Sequence, residues 1–293
     1  MMRETPAALS KKARTVAWFN RHASFLMQCP HCQESLTFQN GLHCQNGHQF
    51  DMNKQGAFFL AKKAVDTKYD TALFQARRAI ILESPLYRAL HQTLQQLLEQ
   101  HEKVVNRSLT IVDAGCGEAS HLHRVSQTLQ KPTCVALDLS KAGIQQATDY
   151  NGDLLAIVAD LAHLPIADSQ VDVILSLLSP ANYDAFRRVL KDDGIIIKVI
   201  PNENYLRELR QVALLENSAY SNEQIRHVFQ KNFCLVDEIS VFNQVELTRQ
   251  QLDHLMKMTP LTWQLSEHQQ QAVLEQLSTT ISLDMSILIG KKY

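Results

Sequence analysis

No apolar run among the 293 residues approaches the roughly 20 that a membrane helix needs, which argues against a spanning protein. The start of the chain has no uninterrupted apolar core of the signal-peptide kind, because Lys11, Lys12, Arg14, Arg21 and His22 break up the apolar positions. Both absences lead to the expectation of a cytoplasmic protein with no membrane partner. Net charge is almost nil at −1, yet the charges are unevenly spread. Residues 1–108 hold 14 Lys/Arg against 8 Asp/Glu, and residues 109–293 hold 15 against 22. A basic front on an acidic body places a polyanionic partner at the front.

Cysteine is scarce, six in all, and cytosolic disulfides are disfavoured, so a disulfide framework is not expected. Four residues nevertheless form a pattern: Cys29-Pro30-His31-Cys32, then eleven residues, then Cys44-Gln45-Asn46-Gly47-His48. Two close ligand pairs of this kind can grip one tetrahedral Zn²⁺, and four protein ligands leave no open position for water, which makes the site structural. Asn40-Gly41 between the pairs is a two-residue hairpin signal, and a hairpin brings the knuckles together. His31 and His43 compete as ligands, but His48 fits the paired spacing better. A redox C-x-x-C would need a βαβ setting that this segment does not have. Cys116, Cys134 and Cys234 stand alone and read as packing residues.

The chain divides into a basic extension (1–24), a zinc-binding module (25–61), a linker and helical segment (62–108) and an α/β domain (109–293). The extension reads as partly helical and loose at its very start. A helical pattern over Thr71–Leu98 is interrupted at Ser84-Pro85 and carries Arg77-Arg78, a basic pair suited to phosphate if it faces a cleft. From Leu109 onward strands alternate with helices, at 109–112, 133–138, 154–159, 171–177 and 194–200, and two more, 233–242 and 281–289, complete an antiparallel edge. Helical patterns cover Glu203–Leu215, Ser221–Gln230, Leu247–Met258 and Glu267–Leu277. Met256, Met258 and Trp263 read as core.

Ligands of such sheets bind beyond the carboxyl ends of the strands. The first strand ends in Asp113-Ala114-Gly115-Cys116-Gly117-Glu118, where glycines permit positive φ and close approach of backbone N–H groups to a ligand. The next two strands end at Asp138, placed for ribose hydroxyls, and Asp160, placed for an adenine amino group. Ser120 replaces the third glycine of a dinucleotide fingerprint, and an acid before the glycines is a poor neighbour for pyrophosphate. It suits the ammonium or sulfonium of S-adenosylmethionine. This combination, with Val171-Asp172-Val173-Ile174, resembles the class I S-adenosylmethionine-dependent methyltransferases.

Together the two halves resemble the bacterial 23S rRNA guanine-N1-methyltransferases. The matching stretches are CPHC, HCQNGHQFDMNKQG, QARRA, DAGCGE, LDLSKAGI, HLPIADS and LMKMTPLTW, from Cys29 to about Trp263. The resemblance implies a Rossmann-like, seven-stranded, mainly parallel sheet with a small zinc-ribbon-like β domain, and methyl transfer to N1 of one guanine in a domain II hairpin of 23S rRNA near the macrolide-binding exit tunnel. It also implies one structural Zn²⁺ on Cys29, Cys32, Cys44 and His48, cofactor contacts from Tyr87, and a homodimer as an open option. His121, Leu122 and Tyr205 fall on cofactor-lining positions, although their side chains differ from the family's usual ones; a histidine is more common at Tyr205. Residues 1–24 are an addition to the family pattern. N1 of guanine carries a proton, and Glu118, Ser179 and Asn182 are the candidates to accept it. Ser179-Pro180-Ala181-Asn182 reads either as the wall of the target-base pocket or as an ordinary turn with Pro180 opening a helix. Two other functions fit parts of the pattern: a small-molecule methyltransferase, disfavoured by the zinc knuckles, and a non-catalytic zinc RNA-binding assembly factor, disfavoured by the intact Asp113, Gly115, Gly117 and Asp138.

Overall fold

The computed structural model describes residues 9–22, 26–62, 69–213 and 222–293. The very start of the extension, residues 63–68 of the expected linker, and Leu215 and Ser221 at the ends of two expected helices lie outside the described residues. Helix α1 (Lys11–Arg21) is followed by four short strands, β1 (Thr37–Phe38), β2 (Gly41–His43), β3 (Gln49–Asp51) and β4 (Phe58–Phe59). Helices α2 (Thr71–Glu83) and α3 (Arg88–Val105) lead into the alternating part: β5 (Thr110–Ala114), α4 (Ser120–Ser126), β6 (Thr133–Asp138), α5 (Lys141–Ala147), β7 (Leu154–Val158), β8 (Val171–Leu177), α6 (Tyr183–Val189) and β9 (Leu190–Pro201). The C-terminal part comprises α7 (Arg207–Val212), α8 (Glu223–Asn232), β10 (Cys234–Glu246), α9 (Arg249–Met258), α10 (Glu267–Gln276) and β11 (Thr280–Lys291).

Local chemistry accounts for most of these boundaries. Every residue of β7 and β8 is buried, as expected of inner parallel strands covered on both faces. In α3, Leu90, Leu94 and Leu98 recur every four residues on the buried stripe, and the helix stops at Asn106 in the left-handed conformation. Between α2 and α3, Ser84 adopts the extended conformation that a following proline favours. A capping box of Thr248 and Gln251 opens α9.

The main sheet has the order β10-β11-β9-β8-β5-β6-β7-β4. β4 to β9 are parallel, and β11 and β10 run antiparallel at the far edge. The sheet therefore has eight strands, not the seven expected. The extra strand, β4, pairs Phe58 with Ile157 and Phe59 with Val158. Two residues are too short a run to show as a strand in sequence, and their pairing depends on a partner about a hundred residues away.

The small sheet β1-β2-β3 forms from the predicted hairpin, with Thr37 opposite His43 and Phe38 opposite Leu42 around a left-handed Asn40. It does not stand apart. Cys29, Leu36, Leu42 and Cys44 share one buried cluster with Val112, Ala114, Val135 and Leu155 from one face of the main sheet. Tyr87 and the apolar residues of α3 cover the other face. Helix α1 seals the junction: Trp18 is fully buried, Phe19 stacks on Phe38 at 4.4 Å, and the Thr15 hydroxyl donates to the Gly56 carbonyl at 2.9 Å. Of the residues expected to pack, Cys116, Cys134 and Met256 are buried, but Cys234 is exposed at the start of the edge strand. Met258 and Trp263 are half-buried, and Trp263 meets Tyr69 edge-on at 5.2 Å.

Candidate functional site

Cys29, Cys32, Cys44 and His48 converge so that their four ligand atoms lie within 4.8 Å of one another. Cys29 Sγ is 3.6 Å and Cys44 Sγ 3.4 Å from His48 Nδ1, and Cys32 Sγ is 3.7 Å from Cys44 Sγ. With Zn–S about 2.3 Å and Zn–N about 2.0 Å, the ligand atoms of a tetrahedral site lie roughly 3.5–3.8 Å apart, so the donors fit Zn²⁺. Local turns build the two knuckles: the Cys29 N–H donates to the Glu34 carbonyl at 2.8 Å, and the Gly47 N–H to the Cys44 carbonyl at 3.0 Å with Gly47 at positive φ. A backbone hydrogen bond at Glu34 pulls the Cys32 thiol down to about 6, whereas burial pushes its neighbour Cys29 up to about 11. The competing histidines have other partners. His31 stacks on Phe50, and His43 Nε2 meets the Gln39 carbonyl at 3.3 Å.

The second site lies where the strand order reverses, at the carboxyl ends of β5, β6 and β8. Its glycine loop differs from the sequence expectation in one respect. The amides of Gly115 and Cys116 donate to the Leu137 carbonyl at 2.8 and 3.0 Å, and that of Gly117 to Asp138 Oδ2 at 2.8 Å. These N–H groups are occupied within the chain and form no phosphate cradle. The glycines answer to packing and backbone instead. Gly115 has φ +84°, and a Cβ there would stand 2.6 Å from Ser179 Cβ; at Gly117, with φ +60°, it would stand 2.9 Å from an Arg77 nitrogen. Ser120, in place of a third glycine, is buried with its hydroxyl 3.2 Å from the Tyr150 hydroxyl.

Two buried carboxyl groups, Asp113 and Glu118, and the half-buried Asp138 surround this loop. Burial drives Asp113 up to about 7; Arg77 opposes the shift, and Asp138 and Glu118 reinforce it. Asp138 is also raised by burial, against hydrogen bonds from the Ser140 and Gly117 amides. Glu118 pairs through one oxygen with Arg77, while its buried Oε1 has no hydrogen-bond partner among the described residues. Among the described residues, three acids against one guanidinium, with one carboxylate oxygen unpaired, suit a ligand bearing positive charge, such as the ammonium and sulfonium of S-adenosylmethionine.

The remaining expected residues fall at different distances from the loop. The Tyr87 hydroxyl lies 3.0 Å from that of Tyr205, and its ring meets His121 edge-on at 5.0 Å. His121 Nδ1 is 2.9 Å from His91 Nε2, and burial lowers both imidazoles, His91 to about 4. Leu122 is fully buried beside them in α4. Asp160 follows β7 and is half-exposed, with Oδ1 accepting from the Ala162 amide at 2.9 Å. The basic pair offered for phosphate is engaged within the chain: Arg77 with Glu118, and Arg78 with Asp149 and the face of the Tyr150 ring. The proton-acceptor candidates are also engaged. Glu118 is held by Arg77, Ser179 Oγ donates to the Ala114 carbonyl at 2.7 Å, and Asn182 Oδ1 caps α6 by accepting from the Ala185 amide at 3.0 Å. Pro180 therefore precedes the cap and does not open the helix. Sequence reasoning missed Lys198, which is 5% exposed and hydrogen-bonded behind Ser179. Its signal was a single charge inside the apolar run Ile195–Ile200.

Fold and site define a class I S-adenosylmethionine-dependent methyltransferase fused to an N-terminal zinc ribbon. Residues 27–60 match the family model described as "RlmA, N-terminal", and residues 111–194 match a methyltransferase domain. A Bacillus subtilis (strain 168) protein, provisionally named 23S rRNA (guanine-N(1)-)-methyltransferase YxjB, is 36% identical over 91% of this chain and 97% of its own. The 23S rRNA (guanine(748)-N(1))-methyltransferase of Streptomyces fradiae is 27% identical over 81% of this chain and 85% of its own. The chain belongs to the 23S rRNA (guanine-N(1)-)-methyltransferase family.

Proposed function

We propose that the protein transfers the methyl group of S-adenosylmethionine to N1 of one guanine in a domain II hairpin of 23S rRNA, near the macrolide-binding exit tunnel, in the cytoplasm. One observation carries the reading: a zinc ribbon and a methyltransferase sheet share a single buried core, so that a module for gripping RNA is built directly onto a methyl-donor site. S-adenosylmethionine, when bound, supplies an electrophilic methyl on sulfur. Asp138 would hold the ribose, Asp160 the adenine amino group, and Asp113 and Glu118 the positive end. Tyr87 and Tyr205, joined through their hydroxyls, would wall the pocket with His121 and Leu122. These residues bind and orient, and alignment of N1 with the methyl group would provide much of the rate. Glu118 is held in an ion pair with Arg77.

N1 lies on the Watson–Crick edge, so the guanine must be unpaired or flipped out before it reacts. The ribbon's exposed Lys54, together with Lys62 just beyond it, would meet hairpin phosphates while the cleft receives one base. The test incubates naked 23S rRNA with the protein and labelled S-adenosylmethionine, then maps stops in reverse transcription, which halts at a base blocked on N1. A new stop in the domain II hairpin supports the reading. Label in RNA without a stop moves the methyl to another atom, and no label in RNA favours a small-molecule acceptor or a non-catalytic role.

A further inference from the structure

Strand β9 carries Lys198 in the middle of an apolar run, with 5% of its surface exposed. Its Nζ donates to the Ser179 carbonyl at 3.0 Å and to the Ser176 hydroxyl at 3.2 Å. Among the described residues no carboxylate pairs with it, and burial alone pushes its ammonium down to about 8. A buried charge without a counter-ion disfavours the fold, and an apolar side chain would fill the same space at less cost. Stability does not account for a lysine here.

The turn that Lys198 grips is itself unusual. Leu178 has φ +53°, although it is neither glycine nor asparagine, and its side chain is 40% exposed. Such a residue keeps this conformation only where its surroundings enforce it. Three hydrogen bonds do so: the Leu178 amide to the Val199 carbonyl at 3.1 Å, the Ser179 hydroxyl to the Ala114 carbonyl at 2.7 Å, and Lys198 to the Ser179 carbonyl at 3.0 Å. Ala114 immediately precedes Gly115, whose missing Cβ leaves the room that Ser179 occupies. The turn and the glycine loop are thus in direct contact, with Lys198 behind the turn.

We propose that Lys198 is a positioning residue for methyl transfer: its ammonium clamps the strained Leu178–Ser179 turn against the glycine loop and so fixes Ser179-Pro180-Ala181-Asn182, acting as the wall of the target-base pocket, relative to the methyl donor. The proposal rests on the methyl-transfer reading given above. It differs from a packing role in what its removal does. A packing residue supports stability and ligand affinity together, whereas this lysine weakens stability and supports only the alignment of the two reactants.

Lys198→Met keeps an unbranched stem of similar length and removes the donor. In the ligand-free protein, amide hydrogen exchange at Leu178, Ser179, Ala181 and Asn182 is expected to speed up by about tenfold or more, with β5 to β8 unchanged. The kcat for methylation of 23S rRNA is expected to fall by about 100-fold, the scale of a reactant misplaced by an ångström. KM for RNA and the Kd of S-adenosylhomocysteine stay within about threefold, and the melting temperature at pH 7 does not drop. Lys198→Arg, which keeps the cation and its donors, restores most of the exchange protection. Unchanged exchange in the turn, or a kcat within about threefold of wild type, overturns the proposal. So does a kcat loss accompanied by equal losses of S-adenosylhomocysteine affinity and melting temperature, which marks a merely structural lysine. If wild type itself places no methyl on 23S rRNA, the acceptor reading fails separately, and the exchange measurement alone decides whether the clamp exists.

Discussion

At the scale of single residues, Asp113 is where the site's charge is most finely balanced. Its carboxyl is driven up to about 7 by burial, from an ordinary value of 3.8. The ionised form is thus disfavoured in the fold. The resulting loss of stability is complete above pH 7 and fades as pH falls from there toward 4. Between pH 5 and pH 8 the ligand-free protein should therefore lose stability relative to Asp113→Asn, measured by urea unfolding across that range. A cationic ligand favours the ionised form, so S-adenosylmethionine affinity should rise as pH passes upward through about 7 and become flat in Asp113→Asn. A wild-type affinity independent of pH from 6 to 8 would place the cofactor's positive charge away from Asp113.

Part of this site could be read from the chain alone. Asp113, Asp138 and Asp160 each end an apolar strand, and strand ends are where α/β sheets bind ligands, so local pattern and topology agree. Arg77 could not be assigned that way. Its partner Glu118 is 41 residues distant, and only the packing of α2 over the glycine loop turns a basic pair on a helix into half of a buried ion pair. Lys198 and Ser179 likewise meet only because β8 and β9 lie side by side.

At the scale of elements, α1 explains what the extra N-terminal segment contributes. Lys11 pairs with Asp149, Arg14 Nη1 donates to the Asp149 carbonyl at 3.0 Å, and Asn151 Nδ2 donates to the Thr15 hydroxyl at 2.8 Å. Phe19 meanwhile packs on Phe38 of the small sheet and edge-on to Phe58 of β4. The helix touches ribbon and methyltransferase sheet at once and acts as a brace between them. Trp18→Ala should cost about 3–5 kcal/mol in urea unfolding, the range for deleting a buried large aromatic. A cost below about 1 kcal/mol would make the helix a dispensable cover. Its partly helical character was expected from sequence, but its destination was not, because the partners of Lys11, Arg14 and Thr15 lie more than a hundred residues along the chain. The same holds for β4, whose two residues form a strand only beside β7.

At the scale of the whole molecule, two of the zinc ligands pack into the sheet interior, since Cys29 and Cys44 lie in the same buried cluster as residues of β5, β6 and β7. Cys44→Ser, or removal of zinc by a chelator, should lower the melting temperature and weaken rRNA binding while leaving S-adenosylhomocysteine affinity within about threefold, because the glycine loop and its acids lie on other elements. A variant that bound the cofactor tenfold worse yet held rRNA normally would reverse that division of labour. The proposed methyl transfer to rRNA is tested most directly by where the methyl group goes. Primer extension on naked 23S rRNA treated with the protein and S-adenosylmethionine should show one new stop in the domain II hairpin, absent with Asp113→Asn. No new stop, or label that stays out of RNA, would contradict it.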